Sequence, residues 1–385
     1  MKTISYGRQE ITEDDIKAVV GVLKGDYLTQ GPMVEKFEND FSRFIQASNS
    51  IAVTNGTAAL HLAALALGVR EGQKVLVTTN SFAASANCIR YCGADVEFLD
   101  IDPQTMCLDL PALEQKLKSA KPGTYSGLVA VDFAGYPMDT ESLRNLADQF
   151  GLWIIEDACH AVGARFLNSK NEWIFSGNGK YADISVFSFH PVKHIATGEG
   201  GMVVTANAEL AAKVRLFRTH GITKDPSLML NPVDGPWSQE MQVLGYNYRI
   251  SDILCALGAS QLQRIQKNLL RRRSIADRYA SELGDIKALS LPKVPKNLEH
   301  AYHLYVVHTE QRGELFSHLQ KNGVNPQVHY IPIHQQPYYQ NLYGKMQLPR
   351  AEKHYQTALS LPMYHGMSDE EQGHVIKVVR KFYLG

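Results

Sequence analysis

The chain carries no imbalance of charge: its 385 residues hold 39 Lys and Arg against 39 Asp and Glu. A chain so balanced sets up no net field that would draw it to nucleic acid or to an anionic membrane, and Arg271-Arg272-Arg273 is only a local exception. Cysteine is sparse. Its five residues, at 88, 92, 107, 159 and 255, show no metal-ligand spacing and are too few for a disulfide scaffold, which suits a reducing compartment. No apolar run approaches membrane-spanning length, and the start MKTISYGRQEITEDD lacks the apolar core of a signal peptide. The expectation is a cytoplasmic protein without a bound metal and with neither nucleic acid nor membrane as partner. No GxGxxG follows any expected strand, which disfavours a nicotinamide-binding domain. Internal repeats and low-complexity tracts are missing too.

What is present is alternation. Apolar runs at 51–54, 74–79, 96–99, 127–132, 152–156, 184–189 and 202–204 read as strands, separated by helical stretches such as 58–67, 109–120 and 139–150. That order predicts an α/β fold with a mostly parallel sheet. At this length one core does not suffice, and a large domain followed by a smaller one is expected.

Three strand ends carry chemistry. The run Ile184 to Phe189 leads to Lys193, flanked by His190 and His194 and followed by Gly198-Glu199-Gly200-Gly201. An amine at the mouth of a sheet loses its proton to desolvation and becomes nucleophilic, the condition for a Schiff-base lysine. A lysine in such a loop is more often merely on the surface. The run Leu152 to Ile155 ends in Glu156-Asp157, at the sheet edge where open α/β folds place ligands; an aspartate there can pair with a protonated pyridine nitrogen, the partner pyridoxal phosphate needs. Ile51 to Thr54 runs into Asn55-Gly56-Thr57 and a helix of Ala and Leu, whose first backbone N–H groups form an anion site, although plain capping by Asn55 or Thr57 explains the same residues.

Together, NGTAAL, SFAASAN, EDACHA, FSFHPVKHIATGEGGMV and GYNYRISDILCALGASQL resemble the sugar-modifying aminotransferases of the DegT/DnrJ/EryC1/StrS group, from about Tyr6 to the last helix. The resemblance implies the aspartate-aminotransferase fold, pyridoxal-phosphate fold type I. That fold has a large domain (1–260) around a mostly parallel seven-stranded sheet and a smaller α/β C-terminal domain (261–385, linking helix included). It further implies pyridoxal 5'-phosphate as cofactor, a nucleotide sugar and glutamate as substrates, amination at C4 of a keto sugar, and a homodimer with shared active sites. Lys193 and Asp157 would be catalytic. Gly56, Thr57, Phe82, His160, Ser188 and Asn247 would join them at the cofactor, with Asn247 reaching the neighbouring subunit's site. Tyr6, Asp26, Tyr27, Leu28, Thr29, His329 and Tyr330 would meet the sugar nucleotide, with His334 a looser addition to that wall. Relatives that are dehydratases carry histidine in place of the lysine, so Lys193 favours transamination. A sugar 4-aminotransferase acting on another nucleotide, and a protein that binds the cofactor without turnover, are the remaining readings.

The irregular stretch from Lys224 to Gln242, with Pro226, Pro232, Gly235 and Pro236, is long enough to need a task, and the expectation is that it covers an active site of this or a partner subunit. A helix from Ser251, continuing to Leu283, should join the domains. Beyond Pro292, strands at 303–308 and 327–330 and helices at 310–322, 350–359 and 369–382 are expected.

Overall fold

The computed structural model describes residues 3–231 and 233–385, so Met1, Lys2 and Pro232 of the stretches above lie outside the described residues. Its centre is a seven-stranded sheet of Asn49–Val53 (β1), Lys74–Thr78 (β2), Asp95–Leu99 (β3), Gly127–Val131 (β4), Trp153–Asp157 (β5), Ile184–Ser188 (β6) and Gly201–Thr205 (β7). The spatial order is β1-β7-β6-β5-β4-β2-β3. Only β7 runs against its neighbours. Buried Val, Ile and Leu dominate these strands because helices cover both faces, as a parallel sheet requires.

Register decides where the strand ends meet. Val131 pairs with Asp157 and Asp157 with Val186, while Gly201 faces both Ser188 and Val53. The ends of β1, β4, β5 and β6, with the start of β7, therefore form one line along a single sheet edge, from which the segments holding Gly56, Asp157 and Lys193 depart. Behind it, Phe37 and Phe41 of the helix Pro32–Ile45 pack on Phe187 and Phe189, with ring centroids 5.0 Å (Phe41–Phe187) and 5.2 Å (Phe37–Phe189) apart. Each fully buried Phe contributes on the order of 2–3 kcal/mol.

The expected helix from Ser251 to Leu283 is two helices, Asp252–Leu262 and Ile265–Leu283. Arg264, at φ −109° and ψ 8°, sits at the break, and its guanidinium binds the buried Asp15 carboxylate at 2.6 and 2.8 Å. Asp252 accepts from the backbone N–H groups of Gly31 and Met33 at 2.8 and 2.9 Å, which locks the start of the Pro32–Ile45 helix.

A second core gathers Ile275, Tyr279, Leu283, Tyr305, Val307, Leu315, Leu359, Leu361, Val375 and Val379. It lies among the Ile265–Leu283 helix, the antiparallel pair Tyr305–His308 and Ala358–Leu361, and the helices Arg312–Lys321 and Asp369–Leu384. The expected 350–359 helix ends at Thr357 and gives way to that last strand. The expected strand at 327–330 is instead irregular, held by a single bridge from Gln327 to Ser360. Ile4–Ser5 completes this region by pairing in parallel with Val324–Asn325.

Arg272 is fully buried between the two cores. Its Nη1 donates to the carbonyls of Tyr302, His303 and Met363 at 2.9, 3.4 and 3.1 Å, and burial lowers its pKa to about 10. Arg272→Ala is expected to cost roughly 3 kcal/mol in urea unfolding, since it opens a cavity and strands three buried acceptors. A loss under about 1 kcal/mol would show that these carbonyls find other donors.

Candidate active site

A cavity of about 780 Å³ opens at the sheet edge formed by these strand ends. Tyr6, Gly56, Thr57, Phe82, Asp157, His160, Ser188, Lys193, His329 and Tyr330 all line it.

The phosphate end is built first. Asn55 caps the helix Gly56–Ala66 by accepting from the Ala58 N–H at 2.8 Å, so Gly56 and Thr57 lie in the first helical turn and not in a separate turn before it. First-turn N–H groups have no partner inside a helix and suit an anion. A Cβ on Gly56 would stand 2.9 Å from the Ser188 Cβ, so only glycine lets these two chains close on one another. The Ser188 hydroxyl is thereby delivered to the same corner.

Asp157 ends β5 and is 5% exposed. Its Oδ2 accepts from the Ser85 hydroxyl at 2.6 Å and its Oδ1 from the Cys159 N–H at 3.2 Å, which fixes the carboxylate plane. Behind it, Glu156 and Asp132 are buried together. Burial, reinforced by Glu156, pushes the Asp132 carboxyl well up, and burial raises Glu156 as well.

Lys193 lies partly buried in the loop after β6. Desolvation lowers its amine to about 8, with Cys159 and Asp157 pulling the other way. The His160 imidazole takes the Ala134 N–H at Nδ1 (3.2 Å) and shares a hydrogen bond with the Tyr330 hydroxyl at Nε2 (3.2 Å). Burial and the nearby Lys193 charge hold it well below its ordinary pKa. His329 is held the same way, at about 3, with Ser360 on its Nδ1 at 2.8 Å. Tyr6 rests on His329 with 5.2 Å between ring centroids. Phe82, 61% exposed, lines the cavity with its ring centroid 6.3 Å from that of Tyr330.

Other expected residues lie elsewhere. His334 is 1% exposed and bonded to Thr79 and Glu352 at 2.8 and 3.2 Å; it is a structural histidine, not part of the wall. Asp26, Tyr27, Leu28 and Thr29 form an exposed loop tied by Thr29 to Ser251, away from this chain's own cavity. Asn247 is exposed as well; in its extended segment the neighbours Tyr246 and Tyr248 stack together at 5.0 Å on the opposite side. The 224–242 stretch closes on itself through Ile222–Thr223 against Glu240–Met241, and none of its described residues lines the cavity.

Some lining residues escaped sequence reasoning. Tyr248 and Cys159 lie within stretches that were singled out, GYNYR and EDACH, yet nothing in their spacing marked them; the same holds for Ser85, which sits in SFAASAN and holds Asp157 from behind. His303 carries no sequence signal at all. Among the described residues there is no group of three or more His, Cys, Asp or Glu placed to hold a metal ion, and no helix long and apolar enough to cross a membrane.

An amine of lowered pKa, a fixed carboxylate, a helix start with a hydroxyl, and aromatic walls fit pyridoxal phosphate part for part. Comparison with known proteins agrees. Residues 9–380 match the family described as the DegT/DnrJ/EryC1/StrS aminotransferase family. The chain is 36% identical, over 99% of its length and 100% of the relative's, to the UDP-4-amino-4,6-dideoxy-N-acetyl-beta-L-altrosamine transaminase of Campylobacter jejuni. Its structure is similar to that of Helicobacter pylori PseC, an aminotransferase involved in the biosynthesis of pseudoaminic acid, with a TM-score of 0.89, 29% identity and 99% of each chain covered. It is also similar to the sugar aminotransferase Spr1654 of Streptococcus pneumoniae in its PMP-form, with a TM-score of 0.87, 27% identity and 98% of each chain covered.

Proposed function

The chain belongs to the DegT/DnrJ/EryC1/StrS aminotransferase family, and on that premise we propose that it moves the amino group of glutamate to C4 of a UDP-linked 4-keto-6-deoxy-N-acetylhexosamine, in pseudaminic acid biosynthesis. The transaminase activity and the use of pyridoxal phosphate follow from the family. One observation carries the finer reading: the full-length similarity to the Campylobacter jejuni altrosamine transaminase.

Bound in the cavity, pyridoxal phosphate supplies an aldehyde that bonds amines and a ring that takes up electron density from the reacting carbon. The chain's own residues do the rest. Gly56 and Thr57 N–H groups with the Ser188 hydroxyl bind phosphate, and Asp157, oriented by Ser85, keeps a proton on the ring nitrogen. Lys193 Nζ, whose pKa near 8 leaves part of it neutral at physiological pH, collects and returns the proton at the reacting carbon. Phe82 and His160 flank the ring, while Tyr6, His329 and Tyr330 shape the sugar wall and exclude water.

In this reading the protein works as a homodimer. Asn247, the Asp26 to Thr29 loop and the 224–242 stretch, none of whose described residues lines their own chain's cavity, serve the neighbouring site. The domains proposed are a large one of residues 1–260 and a small one of 261–385, with Ile4 crossing to pack in the core of the small one.

The test is a substrate panel. Purified enzyme with glutamate and UDP-, GDP- or dTDP-linked 4-keto sugars should yield a 4-amino UDP sugar, identified by mass spectrometry and NMR. Conversion of the GDP sugar alone would move the assignment to a perosamine-type synthase. A visible spectrum unchanged by every amino donor would favour a binder without turnover.

A further inference from the structure

His303 faces the lysine from a segment remote in sequence. Its Nε2 lies 3.4 Å from Lys193 Nζ across 110 residues of chain, at the outer edge of hydrogen-bond range, and the imidazole is 3% exposed at the cavity wall. Its ring centroid lies 4.3 Å from that of His160 and 5.8 Å from that of His194.

The backbone that carries it is fixed on both sides. Ala301 N–H donates to the Gly135 carbonyl at 2.9 Å and Leu304 N–H to that of Ala134 at 3.2 Å. Arg272 holds the Tyr302 and His303 carbonyls, and His194 Nε2 donates to that of Ala301 at 2.9 Å. The receiving turn needs left-handed backbone at Ala134 (φ 59°) and Gly135 (φ 95°), and a Cβ on Gly135 would come within 2.8 Å of the His160 carbonyl and 3.0 Å of the His303 nitrogen. One tight turn thus seats both histidines.

We propose that His303 is a positioning residue for the Lys193 amine: its Nε2 accepts from Nζ and aims the amine at the cavity. The inference rests on reading Lys193 as the residue that bonds the cofactor. Burial, joined by Lys193, His160, His194 and Arg272, holds the His303 imidazole well below its ordinary pKa, so it presents a lone pair. Lys193 itself is faced by Asp157 and Cys159 from the β5 end, His160 and His303 from the walls, His194 beside it and His329 from the irregular 327–330 segment. A lysine side chain has four flexible bonds to order. A neutral acceptor restrains it without the strong pull of a second carboxylate, which would tie the amine up as an ion pair.

The full-length chain freed of cofactor is mixed with pyridoxal phosphate, and the rate of capture is followed by absorbance against pH. For the unaltered chain the rate should climb with a midpoint near 8 and then level off. An accepting neighbour favours the charged amine, so His303→Leu should move the midpoint down by about one pH unit and lower the plateau about tenfold. His303→Gln, which keeps an acceptor, should restore both, and His303→Glu should move the midpoint up by about one unit or more. Melting temperatures report folding, and if the Leu variant is unfolded, the unmoved midpoint of Gln beside the raised midpoint of Glu still decides. Wild-type midpoint and plateau in His303→Leu would overturn the inference. So would equal loss of rate in Leu and Gln with no change of midpoint, because that is mere packing. Absence of capture by the unaltered chain would overturn the Lys193 reading and this inference with it.

Discussion

Lys193→Ala is expected to lower turnover by about 10⁴-fold or more while leaving the fold intact, because it removes at once the amine that bonds the cofactor and the carrier of the transferred proton. The fold should survive because, among the described residues, Lys193 forms no salt bridge and His303 is the one hydrogen-bond partner of its amine. Stability should depend on pH with a fixed sign. The amine's folded pKa, about 8, lies below its ordinary value of 10.5. The folded state therefore resists a proton that the unfolded chain accepts, so the amine destabilises the parent protein fully below about 8, and the penalty fades between about 8 and 10.5 and is gone above that. Without cofactor, the variant should melt higher than its parent at pH 7, and the difference should shrink by pH 10. Steady-state kinetics and paired melting curves check both halves. Residual turnover within tenfold of the parent would remove Lys193 from the centre of the chemistry.

Asp157→Asn is expected to cost about 10²–10³-fold in kcat and to change the visible spectrum of the bound cofactor. An amide of the same shape cannot hold a proton on a ring nitrogen through charge. The packing should tolerate it: the Asn carbonyl can still accept from the Cys159 N–H, and the Ser85 hydroxyl, which also meets Ser81 at 2.6 Å, can turn to accept from the new NH₂. Loss of activity with a parent-like melting curve is the expected pair of results. Full activity would mean that the carboxylate faces no ring nitrogen.

Much of this site was legible because it sits where strands end. Asp157 and Ser188 end apolar runs, Gly56, Thr57 and Lys193 follow such runs by a few residues, and register then brings those ends together. The illegible part comes from contacts between distant segments. His303 joins through a turn at Ala134 and Gly135 more than 160 residues earlier, so no local pattern marks it. Gln-Val-His-Tyr at 327–330 has the alternation of a strand, but Pro332 comes soon after and only Gln327 finds a pairing partner, leaving His329 and Tyr330 to turn into the cavity. The helix break at Arg264 was hidden because arginine and glutamine are good helix formers, and what stands at the break is a carboxylate from position 15. Asn247 and the 224–242 stretch are legible as irregular and exposed, but the task proposed for them lies with a second subunit, which one chain does not display.

The parallel pairing of Ile4–Ser5 with Val324–Asn325, together with the bond from the Met363 N–H to the Tyr6 carbonyl at 2.9 Å, has a consequence for biosynthesis. Tyr6 is translated more than three hundred codons before the groups that fix it in place. A nascent polypeptide stalled before that point would present β1 to β7 with one side of the pocket unbuilt. Closure of the Tyr6 side of the pocket is thus expected to wait for residues 324–363, and ribosome-bound chains halted before residue 324 should leave Tyr6 open to protease.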